Sequence, residues 1–476
     1  MKDEWANGRP ERQGPVAPEA SGQKEVVIMQ GRTSRWCVRP LVCRLLVALA
    51  TVALLLPVIP AAPGASAAAT KTKIVWMTWN AGFRLEEYQR HVAQFEKLNP
   101  DVDVEIQSVP WEQIPTKIAA AVAGGTAPDL ASVDPEWFNG LVEKGLLEDL
   151  MPLVKDDKSG FNYADVAAPA VEMWTDAHGA LRAFPHDLDI QQLMFNADLF
   201  DQYGLRAPDA KWDWGDMLTA AQRFTRDANN DGRLDQWGFT SWFFNWYSLI
   251  WANGGDILTP DLRASALNTT AARQAIEYWS QYYPTRLHLM PDYPAETGSG
   301  VYPWNLFNQG KVAMMPVGAW FGSTVVDAKV PFTVDAAEMP LSPASKRATF
   351  MSGQGLSIIA GSKHKQESFR FILFLTSKEV QLSNSVNLHQ QPVTVSVLFS
   401  EAFLKGQNPP KNRLAYALAA RDYARSQPKH PRWSEVASYL ASDIGAYFQG
   451  QVSIDQAIAT FGEHVAAVTA RLSGKK

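Results

Sequence analysis

The stretch Phe184-Pro-His-Asp-Leu-Asp-Ile-Gln-Gln-Leu-Met-Phe-Asn-Ala-Asp-Leu-Phe200 decides how this chain is read. It opens polar, with His186, Asp187 and Asp189, turns apolar at Leu193-Met194-Phe195, and closes on Asn-Ala-Asp-Leu-Phe. That change of character predicts a polar crossing segment, a buried strand, and a helix capped by Asn196, whose side-chain oxygen can accept from a first-turn N–H. Upstream, Lys73–Trp79 alternates like a half-buried strand, and a helix is expected over 85–98, stopped by Asn99-Pro100. Asp101–Ile106 reads as a second strand, 111–123 as a helix ending at Gly124-Gly125, and Pro128-Asp129-Leu130 as the start of a third strand. Strands alternating with helices imply an α/β architecture with parallel strands. Ligands bind such sheets beyond the carboxyl ends of the strands, which puts Trp79, Asn80 and residues 134–137 near a cleft.

The N-terminus reads as an export signal. Arg32, Arg35, Arg39 and Arg44 precede the apolar run Leu45–Leu56, and Ala65-Ser66-Ala67 fits a small-x-small cleavage site. The run is shorter than the roughly 20 residues needed to span a bilayer, so cleavage near residues 67–69 is expected, with the product periplasmic or extracellular. Residues 1–28 read as disordered, with Met29 beginning a more ordinary signal. Cys37 and Cys43, the two cysteines of the chain, lie in or before the apolar run, so the mature protein is expected to lack disulfides and thiolate chemistry.

Residues 70–476 carry 36 Lys and Arg against 44 Asp and Glu, and show no basic patch, which argues against a nucleic-acid partner. The chain has 17 Trp, with clusters over 242–251 and 304–320; flat aromatic faces suit a saccharide cleft and equally an ordinary core.

Further segments carry a family likeness. Ala123–Leu150 (AGGTAPDLASVDPEWFNGLVEKGLLEDL), Trp251–Leu258 (WANGGDIL), Phe307–Trp320 (FNQGKVAMMPVGAW) and the run from Met351 (MSGQGLSIIAGSKHKQESFRFILFLTS) occur in the order, and with the character, found in the sugar-binding, maltose-binding-protein-like solute-binding proteins of ATP-binding-cassette importers. The chain resembles that family from about residue 73 to 470. The resemblance implies a two-lobed α/β fold whose lobes are discontinuous and joined by hinge crossovers near 187–189, 345–349 and 388–392. Lobe one would be 70–187 plus 349–389, and lobe two 188–348 plus 390–476. It also implies capture of a sugar or oligosaccharide by lobe closure, with delivery to a membrane permease, by a monomer that needs no cofactor.

By the same likeness, the ligand contacts are expected at Asn80, Glu136, Trp137, Asp187, Asp189, Trp242, Phe244, Trp320 and Trp433. A carboxylate at Glu136 or Asp189 can accept two hydroxyl protons at once. Trp320 follows Gly318-Ala319, where many relatives have Gly-Pro, and would form a flat sugar platform. The ordinary alternatives are equally concrete: Asn80 as a turn residue, Asp134 and Glu136 as solvated loop acids, Trp137 as a helix-start anchor, and Trp433 as core.

Asp227-Ala-Asn-Asn-Asp-Gly-Arg-Leu-Asp-Gln236 spaces oxygen ligands like the first half of a calcium loop. Position twelve is Gly238 rather than Glu, which excludes an EF-hand. A structural calcium held by Asp227, Asn229, Asp231, the Arg233 carbonyl, Asp235 and Gln236 is the metal reading; a turn with hydrated acids is the other. No G-x-S-x-G, Walker loop, H-E-x-x-H or dinucleotide fingerprint is present, so a binding protein is expected rather than an enzyme. The rivals are a secreted carbohydrate-active enzyme, a sugar sensor, and a binder of another solute such as glycerol phosphate. The candidate cleft segments carry no Arg or Lys, which favours a neutral ligand.

Overall fold

The computed structural model describes residues 71–473 apart from 242–244, 294–295, 297–302 and 407. The expected export signal, Trp242 and Phe244 therefore lie outside the described residues. The strands are β1 (Thr72–Thr78), β2 (Val102–Ser108), β3 (Leu130–Val133), β4 (Phe184–Pro185), β5 (Asp189–Ile190), β6 (Gln192–Asn196), β7 (Trp237–Phe239), β8 (Val312–Val317), β9 (Val334–Ala337), β10 (Thr349–Ser352), β11 (Gly355–Ile358) and β12 (Ala424–Arg425).

Two sheets each organise a core. The first has the order β2-β1-β3-β11-β4; β1 runs parallel to both β2 and β3, and β11 is antiparallel to β3 and β4. Trp76 of β1 is fully buried, edge-on to Tyr88 and Phe371, with its indole N–H donating to Ser132 Oγ. Burial without a polar partner would cost that N–H about 1–3 kcal/mol, which the β3 serine offsets. The second sheet has the order β7-β8-β6-β9. Every residue of β6 and β8 is buried, as the apolar Leu193-Met194-Phe195 run predicts for a central strand. Asn196 then caps the next helix through Oδ1, which accepts from Leu199 N at 3.2 Å.

The cores are separate along most of the chain and are stitched by a third, small sheet. The first core draws on residues from Ile74 to Ile190 and from Met351 to Ala424; the second draws on Leu193 to Phe350 and Trp433 to Val468. The chain thus passes between them at 190–193, at 350–351 and between 424 and 433. These crossings lie side by side as the ribbon β12-β10-β5, in which Ser352 faces Asp189, Met351 faces Ile190, and Phe350 faces Arg425. Arg425 is tied to the second core: its guanidinium lies 4.7 Å over the Trp251 ring and pairs with Asp256 at 2.9 Å.

The first two crossings fall close to the expected positions. The third differs. Residues 388–392 do lie beside the first crossing, where Leu188 bridges Gln391, but the chain then folds back. Val393, Leu398, Phe403, Ala417 and Ala420 all pack into the first core, so most of residues 390–424 lie there, while Asn412 and Tyr416 reach Asp335, Ala336 and Val317 of the second.

Candidate functional site

A cleft of about 770 Å³ opens between the two cores, along the hinge ribbon. The first core supplies the ends of β1 and β3. Asp134 follows β3 and caps the helix Pro135–Glu143, its Oδ1 accepting from Glu136 N at 2.8 Å. Trp111, in the short turn that follows β2, stands beside it on the cleft wall. From the hinge come Asp189, Gln191, Phe350 and Ser352. The second core supplies Asn245, Trp246, Tyr247, Gly318 and Trp320, together with the helix that begins at Trp433. That helix widens into a π turn at Leu440–Ile444, and Leu440 and Ala441 line the cleft, a distortion that recurs at functional sites.

Gly318 shows how tightly the floor is built. A Cβ there would collide with Asp189 Oδ1 and sit 2.7 Å from Trp320 Cδ1 and Nε1. Only glycine lets the carboxylate from the hinge and the indole from the second lobe approach each other. The Trp320 indole stands beside the Asp189 carboxylate, and the ring lies edge-on to Phe321 at 5.7 Å. Two hydrogen bonds close the rim across the cores: Gln427 Nε2 donates to the Pro135 carbonyl, and Ser434 Oγ donates to the Glu136 carbonyl at 2.7 Å.

A smaller inner branch of about 160 Å³ continues from the same acids past Trp79, Asn80, Arg84, Asp187, Gly353, Gln354 and Gln390. Asp187 accepts from Gln354 N at 2.7 Å and from Gln390 Nε2 at 2.8 Å. Asn80 is buried, with Nδ2 donating to Thr78 Oγ1 at 2.7 Å.

Crowding acids in a cleft perturbs them in one direction. Burial pushes Asp189 up to about 7; the Trp320 indole pulls it down, Asp187 and Asp134 push it further up, and Arg84 lowers it. Burial raises Asp187 to about 6 against the Gln354 N–H and Arg84. Asp134 also stands at about 6, raised by burial, lowered by its bond to Glu136 N, and raised by the Glu136 carboxylate. Burial raises Glu136 as well.

The expected residues sort unevenly. Glu136, Asp189, Trp320 and Trp433 are brought together on the main cleft, and Asn80 and Asp187 on its inner branch. Trp433 is only 3 % exposed and also belongs to the second core, edge-on to Tyr247 at 6.2 Å, so it forms the cleft's deep wall. Trp137 is a correction. It packs against Trp79 at 6.0 Å and Trp111 at 6.2 Å, on the first core, and its buried indole N–H has no partner among the described residues. It anchors Trp111, which reaches the cleft in its place. A second correction concerns charge: Arg84 stands on the inner branch, so the cleft does contain a cation.

The residues missed beforehand are Trp111, Gln191, Tyr247 and Gln354, while Asp134, placed near the cleft with residues 134–137, does line it. Asp134 carried a signal, since Asp-Pro-Glu after a buried strand is both a helix cap and a strand-end ligand position.

The 227–236 loop closes on itself. Asp231 N and Gly232 N donate to the Asp227 carboxylate, Arg233 N to Asp231 Oδ1, Ala228 N to Asp235 Oδ1, and Asp231 N to Asn229 Oδ1. The Gln236 amide turns inward and donates to the Phe224 carbonyl at 2.9 Å. Among the described residues no group of three or more His, Cys, Asp or Glu converges as a metal site. Nor is any described helix long and apolar enough to cross a membrane.

Known proteins are similar to this chain in sequence or in fold. A binding protein of Brucella abortus (strain 2308) is 24% identical over 396 residues, covering 83% of this chain and 92% of its own. The ABC substrate-binding protein Lmo0181 of Listeria monocytogenes, solved in complex with cycloalternan, superposes with a TM-score of 0.73 at 26% identity, over 84% of this chain and 99% of that one. The cyclic alpha-maltosyl-1,6-maltose binding protein of Arthrobacter globiformis gives a TM-score of 0.70 at 21% identity, over 84% of this chain and all of its own. The sequence pattern of bacterial extracellular solute-binding proteins matches residues 84–382, a span that takes in the first crossing, the Gly318–Trp320 floor and the second crossing, and the chain belongs to that family.

Proposed function

We propose that this protein is the exported solute-capture component of an ATP-binding-cassette importer, closing on a saccharide and presenting it to a membrane permease. One observation carries the reading. A single cleft between two cores brings aromatic faces (Trp111, Trp246, Trp320) together with carboxylates (Asp134, Glu136, Asp189). Aromatic faces cover the C–H face of a sugar ring, and carboxylates accept its hydroxyl protons. A volume of about 770 Å³ falls inside the roughly 300–1,000 Å³ usual for small-molecule sites. The saccharide ligands named for the Listeria and Arthrobacter proteins support the same class.

Closure follows from where the groups sit. Asp134, Glu136 and Trp111 move with the first core, Trp320 and Tyr247 with the second, and Asp189 lies on the hinge. A ligand touching both cores binds the closed form better, and that difference is what shifts the population. Micromolar affinity requires about −8.2 kcal/mol, within reach of two stacked rings and a few charge-assisted hydrogen bonds. The protein binds without turning over its ligand. The cleft's acids serve as acceptors, and glycan incubated with the protein should remain unchanged.

A thermal-shift screen over mono- and oligosaccharides tests the proposal, because a ligand that binds only the folded state raises its melting temperature by mass action. Saturation at 100 times Kd is worth about 2.7 kcal/mol, a shift of several degrees. No shift with any neutral or charged saccharide would remove the saccharide reading.

A further inference from the structure

We propose that the cleft selects a saccharide bearing a protonated amine over its neutral counterpart. This rests on the saccharide reading above and narrows it. Among the residues lining the main chamber are three carboxylates, Asp134, Glu136 and Asp189, and no Lys or Arg. The inner branch repeats two of them and adds Asp187 and Arg84, so four carboxylates face one guanidinium.

Hydrogen-bond accounting points the same way. Both Asp187 oxygens are engaged, by Gln354 N and Gln390 Nε2, and Asp134 Oδ1 is engaged by Glu136 N. Two buried side-chain atoms on the walls of the branch have no partner among the described residues: Asp189 Oδ1 and Gln354 Oε1. Gln354 is 3 % exposed, so its oxygen cannot turn to water. Gln354 Oε1 is an acceptor, and Asp189 Oδ1 is one in its ionised form, so a donor from the ligand satisfies both.

A hydroxyl brings one donor and leaves the negative charge in place when closure expels water. An ammonium brings three donors and a compensating charge, and a buried carboxylate is tolerated only when so paired. Trp111 and Trp320 line the main chamber with Asp189, and indole rings attract cations as well. An N-acetylated sugar has neither the charge nor the extra donors, so selection follows ionisation rather than size.

Calorimetry on the full protein at moderate salt tests this. Maltotetraose and cycloalternan serve as neutral parents. Each is compared with analogues carrying one amine in place of a hydroxyl at C2, C3 or C6, and with the same analogues N-acetylated. Charge-assisted hydrogen bonds are roughly twice as strong as neutral ones, so at least one amine analogue should bind about tenfold tighter than its parent. Acetylation should abolish the gain, and Asp189→Asn should bring the amine-to-parent ratio close to one whatever it does to either affinity. Amine analogues that bind no better than the parents, or a ratio untouched by Asp189→Asn, overturn the inference while leaving saccharide capture intact. Binding by neither parents nor analogues overturns both.

Discussion

Replacing Trp320 by Ala separates a ligand platform from a core residue. The ring is half-buried, not enclosed: one edge packs on Phe321 in the third apolar cluster, and the rest faces the cleft. Truncating a fully buried Trp costs about 3–5 kcal/mol; with roughly half the ring covered by protein, the stability loss should be about 2 kcal/mol. Removing a central aromatic contact from a binding site costs about 2 kcal/mol or more in affinity, roughly thirtyfold. The two losses have different readouts. Denaturant unfolding of Trp320→Ala should show a lower midpoint with an unchanged slope, and calorimetry should show saccharide binding weakened about thirtyfold. Trp320→Phe keeps a ring and loses only the N–H, so its affinity should fall between the two. Unchanged saccharide affinity accompanied by a stability loss of 4 kcal/mol or more, an upper-range core value, would refute the placement of the platform.

Gly318→Ala should fold cooperatively but lose at least tenfold in affinity, measured by calorimetry, because its Cβ displaces Asp189 Oδ1 and the Trp320 ring. Asp189 binds its proton more tightly in the folded state, at about 7, than an unfolded Asp at about 3.9. Between those values the folded state holds more protons, so this group's contribution to stability falls as pH rises from about 4 to 7. The melting temperature of Asp189→Asn minus that of the wild type should therefore grow between pH 5 and pH 8 in thermal scans; a constant difference would contradict the assigned burial. Chelation should leave the melting temperature unchanged, since the 227–236 carboxylates already accept the loop's own N–H groups and Gln236 faces inward. A drop on adding chelator, cancelled in Asp231→Ala, would establish the calcium instead.

What could be read from the chain follows from how local each signal is. The 184–200 stretch carries a polar-to-apolar switch within a few residues, and the hinge, the strand β6 and the Asn196 cap all appear where that switch placed them. The third crossing had no such mark. Nothing local in the sequence after Val393 marks a crossing, and only the contacts of Phe403 and Ala417 say which core those helices cover. Trp111 was hidden for a related reason: a turn tryptophan looks the same whether solvent or a second lobe stands opposite. Arg84 lies on a helix, Gly82–Leu98, whose sequence predicts only an exposed cation; its place beside Asp187 comes from the meeting of the first sheet with the hinge. Trp137 was expected from the family likeness alone, and helix geometry turns it about 100° from its neighbour Glu136.

The central claim is that the cleft captures a saccharide through both cores at once. The most direct measurement is calorimetric titration of the purified protein with the saccharide that raises its melting temperature most. The account predicts one site per chain, a dissociation constant of about 1 μM, equivalent to about −8.2 kcal/mol, and a negative heat-capacity change from burying apolar surface. A cooperatively folded protein that gives no binding heat with any saccharide at several temperatures, so that a zero enthalpy at one of them cannot hide binding, would contradict it.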